Sequence, residues 1–333
     1  MNILLSSIGR RGYIADYFRS VLPSESKIIG TTDRHSLNSE FTVGLLSCDD
    51  SFILPSVKCS DYIDSLLELC QREKVSMMCS LFDQDCHVLS EHLDKFRSIG
   101  VTTFVPNRRV SNICFDKLNT HQFLEKIGVG TPSTFSTIED FLQSDIAYPV
   151  IVKPRYGFAS LDIHFAKNEK EILACFDPEV HIIQEILGGE EHSFDIFNDL
   201  HGNVLSCVIK RKLKMRAGET DQAITIKNKR LLDLAIFIGE ALGHAGPLDV
   251  DFFVEGDKIN VLEFNPRFGG GYPLAHAAGA CFPELMVDIT TGQQPRSIVG
   301  QYKENIVMLK DMNPIVMPLD SLLSVVDMRV SGE

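Results

Sequence analysis

The stretch PLDVDFFVEGDKINVLEFNPRFGGG, residues 247–271, decides how this chain is read. Two runs of alternating polarity flank Glu255-Gly256-Asp257, a turn signal between antiparallel strands. Pairing centred on Asp257 sets Asp251 opposite Glu263 and Asp249 opposite Asn265. Residues two apart share a sheet face, so these polar side chains project together. Facing Cβ atoms lie about 4.5–5.5 Å apart, where like charges repel. Paired carboxylates beside an amide oxygen are stable there when a hard cation sits between them. Mg²⁺ prefers such oxygen ligands and commonly brings substrate phosphates with it. Arg267, just beyond Asn265, then reaches a phosphate oxygen. The bland alternative is a hydrated hairpin face carrying ordinary surface acids.

Outward from this hairpin, the composition narrows the classes. The chain has 333 residues, 44% hydrophobic and 23% charged, a balance suited to a folded protein with a sizeable core. Its net charge of −13 argues against general nucleic-acid binding, which needs a basic face, but leaves room for a local basic pocket. No apolar run approaches the roughly 20 residues that span a bilayer. The N-terminal MNILLSSIGRRGY lacks a basic leader and reads as a strand. Nine cysteines without a CxxC pair point to free thiols and a cytoplasmic setting. Histidines are scattered without a zinc spacing.

Up to about residue 106 the pattern alternates: strands at 2–8, 27–32, 51–54, 76–82 and 102–105, helices at 13–21, 62–74 and 86–98. This predicts a doubly wound parallel sheet. Pro106-Asn107 marks a boundary. A small α+β insert follows, with a helix at 116–127, strands at 148–153 and 162–166, a helix at 169–176 and a strand at 181–187. The remainder reads as a larger antiparallel α+β unit with strands at 193–198 and 203–214 and a helix at 227–242 ahead of the hairpin. Helices at 274–280 and 284–290 come after it. The fold class is therefore α/β and α+β, in units 1–106, 107–187 and 188–333.

Three further segments carry charge where phosphates would be welcome. Lys117 stands in the first turn of a helix, against the dipole, and a bound anion would relieve that conflict. Lys153 ends the apolar strand YPVIVK beside a loop containing Gly157, so a long ammonium leaves a buried strand at a turn. Snorkelling from the sheet end is the plain alternative. In HIIQEILGGEEHSFDIF, 181–197, a strand runs through Gln184-Glu185-Ile186-Leu187 into paired glycines and acids. Its backbone and carboxylates suit an adenine edge and ribose hydroxyls. The basic run 210–216 places its lysines on one face as a solvated strand. Arg211 and Arg216, near Gly218-Glu219-Thr220, are the candidates for the cleft.

Taken in order, Asp116-Lys117, VKPRYGFAS at 152–160, QEILGGEE at 184–191, DVDFF at 249–253 and LEFNPRFGGG at 262–271 resemble the ATP-grasp family. The likeness is to its carbamoyl-phosphate-synthase-like and biotin-carboxylase-like branch, and it covers nearly the whole chain. It implies a pre-ATP-grasp Rossmann-like domain followed by two ATP-grasp subdomains. It implies ATP and Mg²⁺ or Mn²⁺ as cofactors, small-molecule carboxylate and amine substrates, and a homodimer, with neither nucleic acid nor membrane as partner. By the same resemblance Lys117 and Lys153 bind the α- and β-phosphates, and the loop Arg155–Ser160, with Gly157, folds over the triphosphate. Gln184, Glu185 and the Leu187 backbone face adenine, and Glu191 the ribose. Asp251, Glu263 and Asn265 hold metal, and Arg267 meets the transferred phosphoryl group. Arg216 lies in the region that supplies a substrate-binding arginine.

The phosphate loop departs from that family in having Gly157 alone, which limits close backbone approach. The first domain also faintly imitates a dinucleotide fingerprint, with Asp33 ending the second strand. Arg10-Arg11 replace the glycines that a pyrophosphate would need, and suit an acidic substrate group instead. The expected activity is carboxylate–amine ligation through an acyl-phosphate. Bicarbonate phosphorylation, an NAD(P)-binding oxidoreductase and a non-catalytic nucleotide sensor are the rivals.

Overall fold

The computed structural model describes residues 1–33, 42–157, 162–318 and 320–322. Strands β1 (Asn2–Ser6), β2 (Ile28–Asp33), β3 (Asp50–Leu54), β4 (Val75–Ser80) and β5 (Thr102–Thr103) form one sheet in the order β3-β2-β1-β4-β5. Every pairing in it is parallel. Both faces are covered, as a parallel sheet requires. Ile14, Ala15 and Phe18 of the helix Gly12–Arg19 pack on one side; Tyr62, Ile63, Leu66 and Leu69 of the helix Tyr62–Arg72 pack on the other. Strand order reverses between β1 and β4, the place where such sheets open a crevice at the carboxyl ends of their strands.

The predicted helix 86–98 is two helices, Asp83–Leu89 and Leu93–Ser98. Ser90 interrupts it by donating its hydroxyl to the His87 carbonyl at 2.7 Å. The boundary read at Pro106-Asn107 is a helix start. Asn107 caps Arg108–Phe115 by accepting from the Val110 amide at 3.1 Å. The sequence pattern does not announce this helix. It and the helix Lys117–Lys126 bury Val110, Cys114 and Leu124 in the core of the large sheet described below.

A small antiparallel sheet contains β6 (Thr134–Phe135), β7 (Val150–Pro154), β8 (His164–Ala166) and β9 (His181–Glu185), ordered β6-β9-β7-β8. The third sheet has six strands: β10 (Glu190–Asn198), β11 (Val204–Arg216), β12 (Glu219–Ile226), β13 (Gly246–Glu255), β14 (Lys258–Asn265) and β15 (Val307–Leu309). Their order is β14-β13-β10-β11-β12-β15. Phe194, Ile196, Cys207, Ile209, Val250, Phe252, Val261 and Phe264 line its apolar face, against the helix Lys229–Leu242. The mixed fold class expected from the sequence is the one observed. Among the described residues no helix is long and apolar enough to cross a membrane.

The hairpin register holds where it matters and differs at the turn. Glu255 pairs with Lys258 around Gly256-Asp257, with Gly256 at φ +57. A bulge at Leu262 then shifts the pairing, so that Asp251 meets Glu263 and Asp249 meets Asn265, as expected. The extra residue lets both Val261 and Phe264 point into the core while Glu263 and Asn265 keep to the other face.

Candidate active site

Strand alternation gives the large sheet a polar face opposite its apolar one. Register places Glu191, Ser193 and Asp195 of β10 beside Phe253, Asp251 and Asp249 of β13. On the other side Lys210 of β11 stands across from Ser193, and Lys212, two residues further on, bonds to Glu191. Against the expectation of a solvated strand face, both lysines are buried. The Lys210 side chain is 0% exposed and that of Lys212 is 3% exposed. Acids on neighbouring strands hold them there, since a buried ammonium survives only when paired.

Lys210 lies 2.6 Å from Asp195 and 3.8 Å from Asp249. Lys212 donates to Glu191 Oε1 at 2.8 Å and lies 2.7 Å from Asp251 Oδ1. The second contact falls outside hydrogen-bond angles, which leaves Asp251 Oδ1 buried with a charge partner but no hydrogen bond. Burial drives the Asp251 carboxyl up to about 7; Lys212 opposes that rise while Asp249 and Glu263 add to it. Burial likewise raises Asp195 to about 6. Lys212 moves the other way, because Asp251 and Glu191 outweigh the burial that disfavours its charge.

A cleft lined by Asp83, Lys117, Gly157, Glu263 and Asn265 opens at this face. Lys153 leaves β7 buried, and desolvation lowers it to about 8, with Glu263 opposing the fall and Lys117 adding to it. Lys117 is lowered by burial too, against Glu263 and Asp83, and donates to the Gly157 carbonyl at 2.8 Å. The two lysines and Glu263 therefore share one electrostatic neighbourhood. Glu263 has no hydrogen bond or close ion pair among the described residues.

Arg267 occupies the far side. It donates to Asp83 Oδ2 at 3.1 Å, to Asn265 Oδ1 at 3.2 Å and to the Phe268 carbonyl at 3.2 Å. Burial works against its charge, but Asp83 and Asp249 more than compensate and keep it fully ionised. Asp83, at the start of its helix, went unrecognised in the sequence; its link to Arg267 spans 184 positions, with no local signal. Tight packing holds Asp249 here: a Cβ on Gly269 would meet its Cγ at 2.5 Å.

Other predicted residues are placed differently. Arg155 is committed to Asp116, through Nε at 2.7 Å and Nη2 at 2.6 Å. Asp116 also caps its helix at the Leu118 amide. Gln184 donates to Thr134 Oγ1 at 2.8 Å, leaving its Oε1 buried and unpartnered, while Glu185 accepts from the Ser133 amide at 3.1 Å. Leu187 lies in the loop between β9 and β10. Glu191 serves Lys212. Arg216 is tied to Asp221 and the Lys310 carbonyl near the β12–β15 edge, away from the cleft lining. Ser160 lies outside the described residues. In the first domain a cavity of about 980 Å³ opens at the carboxyl end of β1, lined in part by Arg10, Arg11, Lys58 and Glu219.

The donor set fits a hard divalent cation at Glu263 and Asn265, where a free carboxylate and an amide oxygen with a spare lone pair meet. Among the described residues no cluster of three His, Cys, Asp or Glu side chains is arranged to hold a metal alone. Phosphate oxygens would complete the shell.

With the geometry in view, comparison with known proteins gives two domain matches. Residues 114–271 match the ATP-grasp domain and residues 3–104 the PylC-like, N-terminal domain. The chain is 24% identical over 281 residues to the arginine-specific large chain of mitochondrial carbamoyl phosphate synthase from Neurospora crassa. That match takes in 73% of this chain but only 24% of the relative's length. The biotin carboxylase domain of Hydrogenobacter thermophilus 2-oxoglutarate carboxylase, solved with MgADP, ADP and bicarbonate, superposes with a TM-score of 0.72 at 14% identity. It covers 92% of this chain and 73% of its own. N5-carboxyaminoimidazole ribonucleotide synthetase from Thermotoga maritima gives 0.66 at 17%, covering 92% and 79%. At these identities the structural likeness is one of fold.

Proposed function

We propose that this chain, an ATP-grasp protein with a PylC-like N-terminal domain, is an ATP-dependent carboxylate–amine ligase. The observation that carries the reading is the Glu263 carboxylate, without a hydrogen bond or close ion pair among the described residues, in a cleft lined by Lys117 and in the electrostatic reach of Lys153. ATP would enter between the small and large sheets, its adenine amino group facing the free Oε1 of Gln184 and its phosphates the two lysines. Mg²⁺ at Glu263 and Asn265 would neutralise and align the phosphate oxygens when bound.

Phosphoryl transfer needs alignment and charge neutralisation more than covalent help. A substrate carboxylate oxygen attacks the γ-phosphorus; the bond to the β–γ bridging oxygen breaks, and ADP leaves with the electron pair. Arg267, held by Asp83, counters charge on the transferring group, and Lys153 adds to it. An amine nitrogen then attacks the acyl carbon, phosphate departs, and the nitrogen releases a proton. No nucleophilic Ser, Cys or His is required. Arg216 and Glu191, both engaged elsewhere, would take part only after rearrangement.

The supporting experiment is ADP release with panels of carboxylic acids and amines, comparing Glu263→Ala with the parent. Turnover undiminished in the variant would remove the site assignment. The bicarbonate-bound relative of similar fold favours one second reading, with bicarbonate as the acid; ATP hydrolysis that depends on bicarbonate alone would identify it. Units 1–106, 107–187 and 188–333, a homodimer and a cytoplasmic setting belong to the same proposal.

A further inference from the structure

We infer that the acidic face accepts a single divalent cation, because Lys212 already serves as the resident cation of Asp251. This rests on the ligase reading and specifies how its metal site is built. The polar face offers Glu191, Asp195, Asp249, Asp251 and Glu263, enough acid for more than one ion. The lysines remove most of that capacity. Lys212 bridges Glu191 at 2.8 Å and Asp251 at 2.7 Å with 3% of its side chain exposed. Lys210 sits on Asp195 at 2.6 Å, and Asp249 is 3.8 Å from both Lys210 and Arg267.

A second metal ion at Asp251 would have to expel a buried ammonium and leave it facing Glu191 alone. Breaking one arm of a buried charge network strands the other, which strongly opposes the exchange. Glu263 differs from these acids, since among the described residues no cation contacts it directly. It pairs across the hairpin with Asp251, and Asn265 follows it on the same face. One ion at Glu263 and Asn265, with the Lys212 ammonium beside it on Asp251, balances the site. Lys212 is thus a positioning residue that sets cation number and location.

The test counts ions. Mn²⁺ is titrated into the full chain with one equivalent of the non-hydrolysable analogue AMP-PNP, and free Mn²⁺ is read from its EPR signal. The wild-type chain is expected to take up one tightly held Mn²⁺, and Lys212→Met two. Two ions in the wild type, or one in a folded Lys212→Met, overturns the inference while leaving the ligase reading intact. Asp251→Asn keeps the question answerable if Lys212→Met does not fold: its single Mn²⁺ should bind within threefold of the wild type. Weakening by tenfold or more would make Asp251 a ligand and refute the inference. No nucleotide-dependent uptake in the wild type would refute both readings together.

Discussion

Asp116 holds Arg155 in a two-pronged ion pair while capping the helix that begins at Lys117. One carboxylate thus fixes both the start of the loop after β7 and the end of the helix that bears Lys117, the lysine proposed to meet phosphate. Asp116→Ala should cost about 2–4 kcal/mol, from the lost cap and the loss of charged hydrogen bonds to a half-buried guanidinium. Urea unfolding measures it. Arg155→Lys, which keeps the charge but not the fork, should recover only part of the loss. A cost below about 0.5 kcal/mol for Asp116→Ala would show that the pair is merely a surface contact.

Lys153 makes nucleotide binding and stability respond oppositely to pH. Burial lowers its ammonium from 10.5 to about 8, so the free folded chain sheds this proton as pH passes 8. A triphosphate prefers the charged form, so affinity should fall above pH 8, approaching about tenfold per pH unit. The unfolded chain keeps the proton until about 10.5, so folding stability should rise between those limits. Calorimetric titration from pH 7 to 9.5 checks the first trend and denaturant melts the second. Lys153→Arg, always charged, should flatten both.

Asp85 is a buried carboxylate satisfied entirely by hydroxyls. Ser6, Ser7 and Ser80 donate to Oδ2 at 2.6, 3.0 and 2.8 Å, and Tyr62 to Oδ1 at 2.6 Å. This network sits where β1 ends and pins Ser7 at φ +50 on the wall of the first-domain cavity. Asp85→Asn replaces one acceptor with a donor and strands hydroxyls against it. A loss of about 2–4 kcal/mol is expected in urea unfolding. An unchanged midpoint would mean that the serines find other acceptors.

The hairpin was legible because its information is local. Alternation and a Gly-Asp turn specify the face, and the acids on it announce themselves by repelling. Lys153 was legible for a similar reason, as a charge at the end of an apolar run. What stayed hidden depends on strands distant in sequence. Nothing near Lys212 says that Glu191 and Asp251 will flank it, so a basic run reads as solvated. The same holds for Asp83 with Arg267 and for Asp116 with Arg155. Strand β12 was missed because its neighbours, not its own alternation, define it. The helix at Arg108–Phe115 was missed although Asn107 stood in the capping position.

Gly269 tests how closely the site is packed. A methyl group there would lie 2.5 Å from Asp249 Cγ, and a carboxyl held near Lys210 and Arg267 has little room to withdraw. Gly269→Ala should destabilise the chain by about 1–3 kcal/mol. It should also displace Asp249, visible in a crystal structure of the variant. An undisturbed Asp249 would show slack that the packing denies.

The central claim is that Glu263, Asn265, Lys117 and Lys153 together receive a magnesium nucleotide, and calorimetric titration of Mg-AMP-PNP addresses it most directly. The account predicts saturable one-to-one binding that weakens at least tenfold in Glu263→Gln and in Lys153→Met, with folding retained in both. Equal affinity in all three proteins, or no binding to the parent chain, would contradict it.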